Sequence, residues 1–208
     1  MIPLRCAAAL HIIENLTANE QHFDLRVGLD AAGPLLPVPW SEEARDEVMA
    51  FISGRLDVVL REQGFSTSVV KAVIAEQAHD PYGASLAAAD LTEAIRSADW
   101  ETLLNSYARC VRITRPLGES YALRPDDLKL PEEQALFAAY EQEAAAKDGS
   151  VETLVASVRR LEPAIAQLFD NVLIMDKDTA VRENRLALLQ AVAGLADGVA
   201  DLSELEGF

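Results

Sequence analysis

The side chains most able to do chemistry in this sequence are arginines. Arg109, Arg112, Arg115 and Arg124 fall within residues 105–124, where Glu119 is the single acid. Asn105, Arg109 and Arg112 are spaced i, i+4, i+7, so they share one face of a helix. A second group is Arg159–Arg160, and a third is Arg182 with Arg185, three residues apart and beside Asn184. Guanidinium groups gathered on one face form a cationic patch for phosphates or bases. The competing reading is that each arginine balances one of the many acids at the surface. Spacing alone leaves both open.

Other chemistry has little to rest on. Neither G-x-x-x-x-G-K-[ST] nor G-x-G-x-x-G occurs, so a glycine-rich phosphate loop is not expected. His11, His22 and His79 form no H-E-x-x-H, and no metal ligand is expected among them. No G-x-S-x-G elbow is present. Cys6 and Cys110 sit at helical positions flanked by Ala or Val, which predicts buried, inert thiols. The pairs Glu42–Glu43, Asp126–Asp127 and Glu132–Glu133 precede helices, where carboxylates favour the positive helix end. They are expected to be solvated. No catalytic residue is assigned.

The composition sets the frame for these groups. The chain has 208 residues with 18 Lys+Arg against 34 Asp+Glu, a formal net charge of −16. Half is hydrophobic and only 6% aromatic, which suffices for a core. No run of about 18 apolar residues exists to span a membrane. The start Met1–Arg5 lacks a secretory signal pattern, and two cysteines suit a reducing compartment, so a cytoplasmic location is expected. The charge of −16 argues at first against a polyanionic partner. However, residues 1–90 carry 6 Lys+Arg and 13 Asp+Glu, and residues 91–208 carry 12 and 21. The arginines of the second part gather in three short stretches. Net charge governs solubility, while local charge governs a site.

The elements that must position these groups read as helices throughout. Apolar residues recur at helical spacing and β alternation is rare, so the fold class is all-α. Helices are predicted over about 4–17 and 24–31, then a non-helical loop over Gly33–Pro39, where three prolines lack donors. Ser41 caps a helix burying Ala44, Val48, Phe51, Ile52, Leu56, Val59 and Leu60, ended by Gly64. Ser66 caps the next, and Asp80–Gly83 breaks it. A helix follows over about 84–97. Asp99 caps one whose inward stripe is Trp100, Leu103, Leu104, Tyr107 and Val111. Pro131 opens another. After the turn Asp148–Ser150, a seam of Leu154, Val158, Leu161, Ile165, Leu168 and Val172 continues in phase past Pro163, which predicts a kink there. A last helix is predicted over about 179–196, and residues 197–208 as an acidic, loose tail.

Several stretches resemble the β subunit of bacterial glycyl-tRNA synthetase. Phe169-Asp170-Asn171-Val172-Leu173-Ile174-Met175, then Asp176, Asp178 and Val181 to Leu189, then Ala200-Asp201-Leu202-Ser203, are similar to that family's closing phrase F-D-x-V-x-V-M, D, R-x-N-R-L-x-L-L and A-D-[FLI]-S. Leu4 to Ile13, Phe51 to Leu56, Gly64 to Val73 and Tyr107 to Ile113 resemble its upstream segments in order. Arg112 stands where the family usually has Asn, Ala108 where it has Lys, and Ser68 where it has Asp.

The resemblance implies three parts. Residues 1–40 would be the end of an HD-like segment with a Pro-rich linker, 41–90 a helical linker body, and 91–208 a DALR-like anticodon-binding bundle. It implies the C-terminal portion of a longer β subunit that binds the anticodon arm of tRNA-Gly. Aminoacylation chemistry, with ATP and magnesium, would belong to a catalytic α subunit or region outside this chain, so no cofactor is expected in it. On this reading Asn105, Arg109, Arg112, Arg115, Arg182 and Arg185 are the RNA-binding candidates, with neither DNA nor membrane as a partner. The rival reading is an acidic helical module that docks a partner subunit without RNA contact. A free-standing hydrolase is disfavoured because the required His-Asp pair is missing.

Overall fold

Apolar spacing and capping chemistry produce nine α-helices among the described residues of a computed structural model of the chain, which describes residues 4–208, with side chains from Ala7 onward. No strand occurs among the described residues. The chain divides into two compact units. One runs up to Glu93 and takes in Gly198–Leu205; the other comprises Ala94–Asp197 and Glu206–Phe208.

The first unit holds α1 (Leu4–Ala18), α2 (Leu25–Ala32), α3 (Glu42–Glu62), α4 (Thr67–Gln77) and most of α5 (Pro81–Ile95). Most of these helix starts have a local cause. Asp24 Oδ1 accepts from the Arg26 backbone N–H at 2.9 Å, Ser41 Oγ from Ala44 at 3.3 Å, and Ser66 Oγ from Val69 at 3.3 Å. Asp80, expected only to break the chain, accepts from the Gly83 N–H at 3.1 Å and opens α5. Such caps satisfy N–H groups that a helix cannot pair internally. Gly64 ends α3 with φ +98°, a conformation that disfavours a Cβ.

Three expectations are corrected here. Gly33–Leu35 forms a 3-10 turn rather than plain loop; Pro34 sits in its first turn, where a missing N–H costs nothing. Phe51 is exposed, with the Arg55 guanidinium 5.5 Å from its ring centre. The inward row of α3 is Ile52, Leu56 and Leu60, and Phe51 lies off it. Residues 197–208 are not loose. Val199, Ala200, Leu202 and Leu205 are buried, and Asp201 caps a 3-10 turn over Leu202–Glu204. The Asp201 N–H donates to Ala72 O at 2.8 Å, and Gln77 Nε2 donates to Val199 O at 2.7 Å. The acids of this segment mask apolar residues that belong to the core.

The second unit is built on α6 (Trp100–Thr114), α7 (Pro131–Ala146), α8 (Val151–Asn171) and α9 (Thr179–Ala193). Ser150 caps α8 through the Thr153 N–H at 3.1 Å, and Asp178 caps α9 through Ala180 at 2.9 Å. The α8 seam is buried as its phase predicts, with Leu161, Ile165 and Leu168 fully covered. Each such side chain contributes about 1.5–3 kcal/mol by leaving water. The helix runs through Pro163, whose ring lies on the exposed side.

The segment between α6 and α7 is pinned from α9. Asn184, buried at 2% exposure, accepts from the Arg124 N–H at 2.7 Å and donates to Arg124 O at 2.9 Å. Gln190 accepts from the Tyr121 N–H at 3.0 Å and donates to Glu119 O at 2.7 Å. These side chains do for an irregular segment what a helix ladder does for itself.

Candidate nucleic-acid interface

Helix α6 is two-faced. Trp100, Leu103, Leu104, Tyr107 and Cys110 face inward, and the Tyr107 hydroxyl donates to Ala193 O at 2.7 Å. Asn105, Arg109 and Arg112 lie on the outer side, followed by Arg115 where the helix passes into a 3-10 turn. The local period that predicted a shared face therefore places these four along one side of the unit. Arg112 in the last turn also meets the negative helix end, a favourable position for a cation.

Aromatic rings hold these arginines. The Arg109 guanidinium carbon lies 4.2 Å from the Phe169 ring centre, with Asp170 Oδ1 at 3.9 Å from Nη2. Arg112 and Arg115 lie 5.4 and 5.9 Å from the ring centre of Phe208. Planar guanidinium stacked on a ring is ordered by attraction to the ring quadrupole while its donors stay in water.

The remaining arginines have different surroundings. Arg182, half-buried, donates to Asp176 O at 3.0 Å and to Thr179 Oγ1 at 3.3 Å. Arg185 corrects the expectation of a surface group: it is 7% exposed. Its Nε donates to Glu133 Oε1 at 2.5 Å, and its Nη1 donates to Leu173 O and Asp176 Oδ2, each at 2.9 Å. Glu133 is likewise not solvated, at 2% exposure. Its Oε2 accepts from the backbone N–H groups of Lys129 and Leu130 at 2.8 and 2.9 Å. Burial of both partners is tolerated because each charge is paired and makes further hydrogen bonds. Arg185 thus ties α9 to α7 and to the loop Val172–Asp176.

Arg159 and Arg160 pair with acids. Arg159 binds Asp99 at 2.6 and 3.2 Å, and this contact holds the Asp99 carboxyl down at about 2. Asp99 does not cap α6 with its side chain as expected, because its carboxylate is engaged there. Arg160 grips Glu143 with two bonds of 2.7 Å, and Ser157 adds a third at 2.8 Å. The Arg160 guanidinium lowers the Glu143 pKa from its ordinary value. Asp176 is lowered too, first by the Asp178 backbone N–H and then by Arg185.

Cys110 is fully buried, and desolvation pushes its thiol up to about 12. Its burial is what its helical position predicted. The Cys6 side chain lies outside the described residues. His22 Nδ1 contacts Asp80 Oδ2 at 2.7 Å and its ring packs edge-on to Tyr82. No cluster of three or more metal-ligating groups occurs among the described residues, and no helix there is long and apolar enough to cross a membrane. Two residues packed against the candidate surface escaped sequence reasoning. Phe169 carried a usable signal, an aromatic one step off a buried seam; Phe208 carried none.

Comparison with known proteins decides what this arrangement belongs to. Residues 103–201 match the DALR anticodon binding domain. The chain is 34% identical over 171 residues, 78% of its length, to the glycine–tRNA ligase β subunit of Desulfatibacillum aliphaticivorans. It is 33% identical over 91% of its length to that of Anaeromyxobacter dehalogenans strain 2CP-C. It is 27% identical over 95% of its length to glycine–tRNA ligase, chloroplastic/mitochondrial 2, of Arabidopsis thaliana.

The chain is a relative of glycine–tRNA ligase β subunits and carries a DALR anticodon binding domain. It spans about a quarter of the length of those β subunits, 24% and 27%, and 19% of the plant protein. The DALR domain opens inside α6 and takes in α7, α8 and α9. It therefore contains Asn105, Arg109, Arg112, Arg115, Phe169, Arg182 and Arg185, while Phe208 lies beyond the matched range.

Proposed function

We propose that this chain is the tRNA-binding, anticodon-recognising C-terminal portion of a bacterial-type glycine–tRNA ligase. The exposed arginine face of α6 is its RNA-contacting surface. One observation carries the reading: the DALR match covers most of the helix on which Asn105, Arg109 and Arg112 share an outer face. Unpaired RNA loops are read by stacking on aromatic and guanidinium planes and by phosphate contacts. In this proposal glycine attachment takes place on a catalytic α subunit or region, which also holds ATP and magnesium. The chain acts in the cytoplasm and does no bond chemistry itself. Arg182 and Arg185 instead hold the loop Val172–Asp176 in place. The comparisons do not favour a docking module without RNA contact.

The test is binding of tRNA-Gly, with a non-cognate tRNA as reference, at two salt concentrations. Replacing Arg109 and Arg112 together by Ala should weaken binding. It should also lower the log–log salt slope by at least about 0.7, the share of one neutralised phosphate of a single strand at Arg112. Helicity should not change, because both side chains lie on the outer face of α6. Unaltered binding by a folded variant would overturn the assignment.

A further inference from the structure

The three arginine–ring contacts of this face are unequal. At 4.2 Å the Arg109 guanidinium carbon lies closely over the Phe169 ring, whereas Arg112 and Arg115, at 5.4 and 5.9 Å, sit more loosely about Phe208. Asp170 Oδ1 stands 3.9 Å from the Arg109 Nη2, at the edge of ion-pair distance. Its side chain nevertheless remains 42% exposed. The guanidinium is thus backed by a ring while the group still reaches solvent.

We propose that Phe169 and Arg109 form a stacking platform for one unpaired RNA base, with the base lying on the outer face of the guanidinium to complete a ring–guanidinium–base stack. Asp170 flanks the edge of the guanidinium. The idea rests on the RNA-binding reading above and gives that surface a defined subsite. Two chemical facts favour a base over a phosphate at this position. A guanidinium on an aromatic ring has its planar faces as the open recognition surface, and bases stack on such planes. A carboxylate at its edge repels a phosphate but not the face of a neutral base. Because every base has such a face, the platform is tolerant of base identity. Rigidity comes from the helices: Arg109 projects from α6 and Phe169 from the last turns of α8, whose neighbouring Leu168 is fully buried.

The experiment uses the full chain and an RNA hairpin with an unpaired loop. A fluorescent purine analogue is placed at successive loop positions, and the same strand annealed to its complement is the reference. One loop position should change emission on binding, and the duplex should bind more weakly. Arg109→Lys keeps the charge and loses the plane. It should abolish that emission change and weaken hairpin binding about tenfold, within the range for a lost base stack. Phe169→Leu should do the same. An abasic residue at the reporting position should cost as much, and combining it with Arg109→Lys should add nothing. If Arg109→Lys keeps the emission change and the affinity, Arg109 acts as a charge alone and the platform is refuted while RNA binding stands. If the unaltered chain fails to bind hairpin and tRNA alike, the RNA-binding reading falls and the platform with it.

Discussion

Removing the Arg185 guanidinium tests the claim that it holds the second unit together from inside. The group is 7% exposed and its partner Glu133 is 2% exposed. Arg185→Ala takes away the Nε bond to Glu133 and both Nη1 bonds, to Leu173 O and Asp176. The Glu133 carboxylate keeps the Lys129 and Leu130 N–H groups but stays buried without a counter-charge. Breaking one side of a buried pair costs about 3–5 kcal/mol. The lower figure applies, since Glu133 retains two donors. At about 2–4 °C per kcal/mol for a chain of this size, 3 kcal/mol lowers Tm by about 6–12 °C. Circular dichroism melts read this directly. The double variant Glu133→Gln with Arg185→Leu should recover much of the loss, because the amide removes the uncompensated charge while its oxygen still accepts from the Lys129 and Leu130 N–H groups. An Arg185→Ala protein with unchanged Tm and lost tRNA binding would refute this account and return Arg185 to the RNA surface.

Three further outcomes follow from the same geometry. Asp99 titrates near 2 instead of its usual 3.8, chiefly through Arg159. A carboxyl lowered by folding stabilises above its unfolded pKa and ceases to do so as pH falls through the folded one. Urea midpoints should therefore drop between about pH 4 and pH 2, and Asp99→Asn should shed part of that drop. In a Cys6→Ser background, Cys110 should resist a thiol reagent until denaturant is added, and rapid labelling of folded protein would contradict its burial. Leu202→Ala, at a residue 3% exposed, should cost about 2–5 kcal/mol in chemical denaturation, whereas a loose tail would register almost nothing.

Features with local causes were legible in the sequence, and those with distant causes were not. Ser41, Ser66 and Ser150 cap helices because the acceptor and the N–H lie three residues apart, so the signal and its effect share one short window. The α8 seam reads through Pro163 for the same reason. Glu133 looked like a solvated helix-start acid because its partner Arg185 is 52 residues away. Asn184 gave no hint that it would bind a backbone 60 residues upstream. In the last segment, charge hid Leu202 and Leu205, which are buried only because α4 and its surroundings receive them.

The arginines show where that boundary falls within one residue type. Helical period determines which way a side chain points, and so spacing alone places Arg109 and Arg112 on an outward face. Period says nothing about what stands opposite. Arg160 finds a carboxylate 17 residues away, Arg185 finds one on another helix, and Arg109 finds a ring on α8. The first two neutralise their charge against the protein. Arg109 is backed by a π-face, with Asp170 at the edge of ion-pair distance, so most of its charge remains available outward. A chain of net charge −16 can therefore present a cationic surface at the place where a ring, rather than a closely bound acid, holds the guanidinium.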